Sequence, residues 1–393
     1  VYVHAPFCAR RCFYCDFAVT VRRAAEPEPW FSALAGELRL LYAEHGIELD
    51  ASLETVYLGG GTPSLLGPQA VLGLRDVLGT ERFSSETEFT AEANPESFTR
   101  EVAEAWQRAG LTRLSLGTQS FQPSALRWMG RLHGAEGSRE AVQTARTAGL
   151  ANLSIDLIFG LPDEVERDWV ADLDEVLRLE APHVSLYGLS AESATPLGRR
   201  VAEGRIQMPD DERYAREYLL AHERLTAEGY EHYEVSNFAR PGHQSVHNRR
   251  YWTGHAYLGL GNGAHSFVPP VRSWNVRDWT DYAAAIGDGR LPRDAEEHLD
   301  GRARALEDVW LGLRTDAGLL VHEQAHAAVA EAERWRAQGW ARIEVEGAGR
   351  RVRLTPEGWL RLDPLAVALD DALELPAVPA ELIESTAHDA SIG

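Results

Sequence analysis

A chain of 393 residues with 44% hydrophobic side chains is long enough for two domains, or for one large domain with an appendage. Its formal net charge of −21 repels phosphate backbones, so no nucleic-acid partner is expected. All 39 basic residues are arginine, which excludes a lysine Schiff base and a lysine-dependent phosphate loop.

The first residues, "VYVHAPF" (1–7), read as a strand, with no basic–apolar–small leader ahead of them. The start at Val1 rather than Met reads as a trimmed beginning, and the expected compartment is the cytoplasm. No stretch approaches the roughly 20 uninterrupted apolar residues of a membrane span. Further β-type runs follow at "ETVYLGGGTPS" (54–64), "TEFTAEANP" (87–95), "TRLSLGTQS" (112–120), "NLSIDLIFGLP" (152–162) and "HVSLYGLS" (183–190). Helical patterns lie between them. "PWFSALAGELRLLYAEHG" (29–46) spaces Phe31, Leu34, Leu38 and Leu41 by three or four residues. "TREVAEAWQRAG" (99–110) opens on a capping Thr99 and stops at Gly110, and "SREAVQTARTAG" (138–149) has the same grammar.

Strand–helix alternation predicts parallel strands joined by crossover helices. Six such units predict an α/β fold, a partial (βα)6 barrel over residues 1–200; a doubly wound open sheet is the other topology the pattern allows. In a barrel, function gathers where strands end. Gly59, Gly60, Gly61, Thr62, Glu92, Asn94, Gln119 and Asp156 all lie at or just past the end of an apolar run.

After about residue 200 the rhythm changes. Residues 201–300 read as an extension, with a helix at 210–229 and a Gly- and aromatic-rich stretch, "SVHNRRYWTGHAYLGLGNGAHSF" (245–267). In residues 301–370, two helices lead into strand, Gly turn, strand and helix start at 340–359. That grammar resembles a small winged-helix-like domain, here a packing appendage rather than a DNA reader. The tail, 371–393, is expected to be loosely ordered.

Cys8, Cys12 and Cys15 are the only cysteines, and all fall within one short loop. An odd, clustered set argues against a disulfide framework and for a metal site in a reducing compartment. Thiolates suit zinc, copper(I) or iron–sulfur clusters. Zinc closes its sphere with four ligands, and His4 could be the fourth. A 4Fe–4S cluster held by three thiolates instead leaves one iron without a protein ligand, open to a small molecule.

C-x-x-x-C-x-x-C after the first strand, with "GGGTP" after the second, resembles the radical S-adenosylmethionine (SAM) superfamily over roughly residues 1–270. The resemblance implies that the open iron chelates SAM and that an electron from the cluster cleaves a C–S bond. "YVHAPFCARRCFYCDF", "GGGTPS", "EANPESF", "RLSLGTQSF", "DLIFGLP" and "YEVSNFARPG…HNRRYW" are similar to the oxygen-independent coproporphyrinogen dehydrogenase group. Phe17 stands where the dehydrogenase branch has a further cysteine. H-N-x-x-Y-W, here His247, Asn248, Tyr251 and Trp252, resembles the haem-chaperone branch.

By that resemblance Gly60, Gly61 and Thr62 contact SAM, although the glycines alone could make a tight strand–helix turn. Tyr2 and Tyr14 are cofactor contacts, and Glu92 accepts hydrogen bonds from the ribose or amino group of SAM. Gln119, Arg131 and Asp156 match residues around a second SAM; Arg131 and Asp156 also read as a buried ion pair. His247 matches an axial haem ligand or is structural, and Tyr251 and Trp252 would stack on the macrocycle. Arg249 and Arg250 would pair with propionates or form a solvated turn. His243, His255 and His265 stand in reserve.

The function implied is a haem chaperone. It would hold a 4Fe–4S cluster, SAM and one haem, draw on an external electron donor, deliver haem to an acceptor protein, and associate peripherally with membrane proteins. A coproporphyrinogen III dehydrogenase and a zinc-stabilised structural protein are the alternatives.

Overall fold

The strands Tyr2–Ala5, Thr55–Gly60, Glu88–Ala93, Arg113–Gln119, Leu153–Phe159 and His183–Gly188 lie side by side in chain order, all parallel, in the computed structural model, which describes residues 1–373. A doubly wound sheet reverses its order at a switch point, and this one does not, so the barrel reading stands. Gly259–Leu260 adds a parallel strand beside Tyr2–Ala5, and Asn237–Ala239 with Glu231–Glu234 adds antiparallel strands at the other edge. The two edge strands do not bond to each other, so the nine-stranded wall is an open barrel.

Side chains alternate across each strand. Val56, Leu58, Phe89, Ala91, Leu114, Leu116, Ile155, Leu157, Val184 and Leu186 are fully buried in the main core. The opposite parity, Tyr57, Thr90, Glu92, Arg113, Ser115, Ser154, Asp156, His183 and Ser185, is polar and cross-bonded: Tyr57 to Glu92, Ser115 to Asp156, Ser154 to His183 and Ser185. Ordinary (βα)8 barrels fill this space with branched apolar side chains. Here it is a polar interior.

The crossover helices begin where their caps dictate. Thr99 Oγ1 accepts from Val102 N, and Asp168 and Asp210 cap the helices Trp169–Arg178 and Asp211–Ala227 in the same way. The helix read from residue 138 starts at Ala135 instead, because Gly134 takes the extended N-cap conformation. Packing does not break at residue 200. Tyr218, Leu225, Phe238, Leu260, Trp279 and Tyr282 belong to the same core as the barrel strands.

A separate core around Val309, Leu313, Val321, Trp335, Val352 and Leu369 joins the helices Gly301–Leu313, His326–Ala337 and Leu362–Leu373 to a three-stranded antiparallel sheet. The strand, turn, strand and helix read at 340–359 are present as Ala341–Glu346, Gly349–Leu354 and Pro356–Trp359. The sheet's third strand, Leu319–His322, was not anticipated. Residues 371–373 close the last helix, and the rest of the expected tail lies outside the described residues. Among the described residues no helix is long and apolar enough to cross a membrane.

Candidate metal and cofactor site

Cys8 ends a two-residue strand, Phe7–Cys8, that pairs in parallel with Thr20–Val21 and so closes the cysteine loop at its neck. Thr20 N donates to Pro6 O (2.7 Å), Arg22 N to Cys8 O (2.9 Å) and Cys15 N to Cys12 O (3.2 Å). Phe13 anchors the loop's far side, edge-on to Trp128 with ring centroids 4.7 Å apart, and its carbonyl accepts from Leu197 N (2.9 Å). The three thiols are free and part-buried. They open into a cavity of about 380 Å³ at the C-terminal ends of the parallel strands.

Two of the sulfurs meet a side-chain donor. Thr62 Oγ1 donates to Cys8 Sγ (3.4 Å), and Arg131 Nη1 approaches Cys12 Sγ (3.9 Å) beside the Tyr14 hydroxyl. Burial pushes the Cys8 thiol up to about 11 and raises Cys15 as well. A bound metal would supply the missing positive charge. His4 does not complete a zinc site. Its Nδ1 bonds the Tyr2 hydroxyl (3.0 Å) and its Nε2 the Ala18 carbonyl (2.9 Å). Among the described residues no three His, Cys, Asp or Glu side chains close on a single ion. Three thiols spread around a cavity suit a cluster that takes one sulfur per iron.

Gly60, Gly61, Thr62, Glu92, Gln119, Arg131, Asp156 and Tyr14 line the same cavity. Gly60 has φ +110°, and a Cβ there would come within 2.5 Å of the His4 ring. This backbone aims Gly60 N at Glu92 Oε2 (3.0 Å), while Tyr57 Oη donates to Glu92 Oε1 (2.9 Å). Burial, with Asp156 nearby, lifts the Glu92 carboxyl to about 7. Asp156, lifted by burial to about 6, accepts from Ser115 and Ser154. It is not paired with Arg131, whose guanidinium goes to Asn94 Oδ1 and Gly117 O, so the ion-pair reading is corrected. Gln119 sits at φ +67°, a strained value for its type, and its buried Oε1 has no partner. An orphaned acceptor at the wall of a strand-end cavity fits a polar ligand. Tyr2 does not line this cavity; its hydroxyl is held by His4.

The H-N-x-x-Y-W residues are at the opposite end of the barrel. They form the helix Val246–Trp252, docked on strand starts by Glu88, which accepts from Val246 N (3.0 Å) and His247 N (2.9 Å). His247 is 3% exposed, with Nδ1 bonded to Thr55 Oγ1 (2.8 Å) and Nε2 to Tyr251 Oη (3.0 Å). A ring so engaged has no nitrogen to offer an iron, contrary to the axial-ligand expectation. Arg249 and Arg250 are paired with Gln244 and Glu54. His265 stacks on Trp274 and His243 faces Asn152. Tyr251, Trp252 and His255 line a second cavity, about 320 Å³, with Phe267 and Trp310.

Two contributors were not singled out as site residues. Asn94 bridges Thr62 and Arg131, and it was visible only as one more polar residue at a strand end. Arg113, 2% exposed, projects into the barrel. Its signal was the parity Arg113–Ser115–Gly117–Gln119 in "RLSLGTQ", which puts a polar face inward.

A three-cysteine loop at the mouth of a parallel-strand barrel, with a cavity between them, is the arrangement of a radical SAM protein, and the Radical SAM superfamily model matches residues 2–176. Over 379 residues the chain is 38% identical to the heme chaperone HemW of Mycobacterium tuberculosis, covering 94% of each chain. It is 36% identical to the heme chaperone HemW of Escherichia coli, covering 68% of this chain and 70% of the other. The chain belongs to the HemW family. The structure of the Escherichia coli coproporphyrinogen III oxidase HemN, a radical SAM enzyme, superposes with TM-score 0.76 at 20% identity, covering 94% of this chain and 89% of that one; this shows a shared fold.

Proposed function

We propose that this chain is a haem chaperone: it holds a 4Fe–4S cluster on Cys8, Cys12 and Cys15, binds SAM in the adjoining cavity, and passes one haem to an acceptor protein. The observation that carries this reading is the 38% identity to a heme chaperone HemW across 94% of the chain. Phe17, 60% exposed where the dehydrogenase branch has a cysteine, supports it. When bound, the cluster supplies one electron and an open iron corner. The chain's own residues hold the thiolates, present Gly60 and Glu92 to SAM, and keep Gln119 and Asp156 on the far wall. A second SAM at Gln119, Arg131 and Asp156 is part of the proposal.

For haem, Tyr251 and Trp252 rather than His247 are the motif residues that face open space. Their cavity lies at the lower end of the range for ligand pockets, so it would grip an edge of the macrocycle and leave the rest for an acceptor. We place the protein in the cytoplasm, working with an external electron donor and meeting membrane-bound acceptors only peripherally.

The test is anaerobic reconstitution followed by an iron and sulfide count, a haem titration and a coproporphyrinogen assay. Haem bound at one per chain with no decarboxylated product is expected. Decarboxylated product, or no haem binding, overturns the reading.

A further inference from the structure

Two of the three cysteine sulfurs are joined through one continuous set of side-chain hydrogen bonds. Thr62 Oγ1 donates to Cys8 Sγ (3.4 Å) and accepts from Asn94 Nδ2 (3.0 Å). Asn94 Oδ1 accepts from Arg131 Nη2 (2.5 Å), and Nη1 of the same guanidinium reaches Cys12 Sγ (3.9 Å). Gly117 O also accepts from Nη2 (2.7 Å) and pins the group in place. The Asn94 amide has only one orientation that serves both neighbours, oxygen to the guanidinium and nitrogen to the hydroxyl. Thr62 follows the strand Thr55–Gly60, Asn94 follows Glu88–Ala93, and Arg131 follows the helix Pro123–Met129. Three separate elements therefore converge on the thiols.

We propose that Thr62, Asn94 and Arg131 act as a single strap that positions the Cys8 and Cys12 thiolates and raises the reduction potential of the cluster they hold. The proposal rests on the reading of the cysteine loop as a cluster site, and it gives these residues a role besides contact with SAM. One-electron reduction makes the cluster more negative, and part of that charge falls on the thiolate sulfurs. A hydroxyl donor and a guanidinium charge stabilise the reduced form more than the oxidised form, so the potential moves up. Cys15 stands outside the strap, because the strap's two donors reach only Cys8 and Cys12. Arg131 is a positioning residue in this scheme, acting through its neighbours as well as its charge.

The test is a redox titration of the reconstituted full chain, followed by EPR in the absence of SAM. Thr62→Val removes the donor at nearly constant shape, Thr62→Ser keeps it, and Arg131→Lys keeps the charge but loses the fork. Thr62→Val and Arg131→Lys are expected to have lower potentials than the parent, and Thr62→Ser the parent's. In the double variant the two shifts should not add, because either change opens the same strap. An unchanged or higher potential in Thr62→Val at full iron and sulfide content overturns the proposal. If Thr62→Val fails to assemble a cluster, assembly by Thr62→Ser supports the strap and failure of both overturns it. A parent chain that takes up no iron and sulfide refutes the cluster reading itself, an outcome distinct from failure of the strap.

Discussion

His247 stacks on Tyr57, ring centroids 5.0 Å apart and planes 27° from parallel, and the Tyr57 hydroxyl donates to Glu92 at the cofactor cavity. The motif histidine at the barrel's base thus reaches the cysteine-lined cavity through a single intervening ring. Removing it leaves a cavity under Tyr57 and two buried hydroxyls, Thr55 and Tyr251, short of a partner. His247→Ala should cost about 2–4 kcal/mol in stability. It should weaken SAM binding several-fold and leave the haem stoichiometry unchanged, as read by denaturant unfolding, SAM dialysis and haem titration. Loss of haem with intact SAM binding would return His247 to the ligand role.

On the proposed site, Glu92 would give SAM binding a pH dependence. Burial raises its carboxyl to about 7, with Asp156 adding repulsion and the Tyr57 and Gly60 bonds opposing it. A raised carboxyl is protonated below its folded value, and binding a proton that the unfolded chain would release stabilises the fold on the acid side. The charged acceptor that suits the cationic SAM appears only as pH rises through about 7. Calorimetry from roughly pH 6 to 8 should therefore show SAM binding tighten, and Glu92→Gln should bind weakly with a shallower profile, its remaining slope confined to the acid end, where Asp156, lifted to about 6, still titrates.

Gly60 combines a positive φ with a crowded Cβ position against His4. Backbone strain alone is worth about 1–3 kcal/mol. Gly60→Ala should lower the melting temperature and turn the N–H away from Glu92, so that SAM binding falls by more than stability does. A variant that melts like the parent and binds SAM normally would show the loop to be tolerant.

Asp172, fully buried, fixes the chain just beyond the Gln119 kink. It accepts from Ser120 Oγ and Phe121 N (2.7 Å each) and pairs with the buried Arg167 (2.7 Å). Asp172→Ala strands a buried cation and an N–H, which should cost about 3–5 kcal/mol by urea denaturation. A cost under about 1 kcal/mol would mean that Arg167 finds another partner or water.

Phe17→Cys places a fourth thiol where the dehydrogenase branch has one. Phe17 is 60% exposed, so the replacement does not disturb the core. The iron count and the EPR response to SAM should stay those of the parent, and no coproporphyrinogen should be decarboxylated. Loss of the SAM response would show the new thiol capping the open corner.

The residues at the barrel mouth were legible because they sit in sequence-local grammar: a cysteine loop after the first strand, a glycine loop after the second, a polar residue at each later strand end. Tyr14, Gly60, Gly61, Thr62, Glu92, Gln119, Arg131 and Asp156 all reach one cavity with the cysteines. Pairing among them was not legible. Arg131 and Asp156 carry opposite charges and invite a salt bridge on paper, yet Arg131 bonds Asn94 while Asp156 is satisfied by serines. Tyr2 and His247 read as ligand contacts from their motifs, but hydrogen bonds to His4 and to Thr55 and Tyr251 take them away.

The order of strands, the cysteine spacing and the glycines are properties of the chain itself, because parallel crossovers, loop closure and backbone freedom act over short separations. Which end of the barrel a residue faces, and whether its polar atoms are left over for a ligand, depends on partners far away in the chain, as with Thr55 and His247, 192 residues apart. Such contacts are chosen by side-chain parity and packing across the whole wall. Only the folded structure could therefore show that the H-N-x-x-Y-W histidine is spent in the barrel's base while Thr62 and Arg131 point at sulfur.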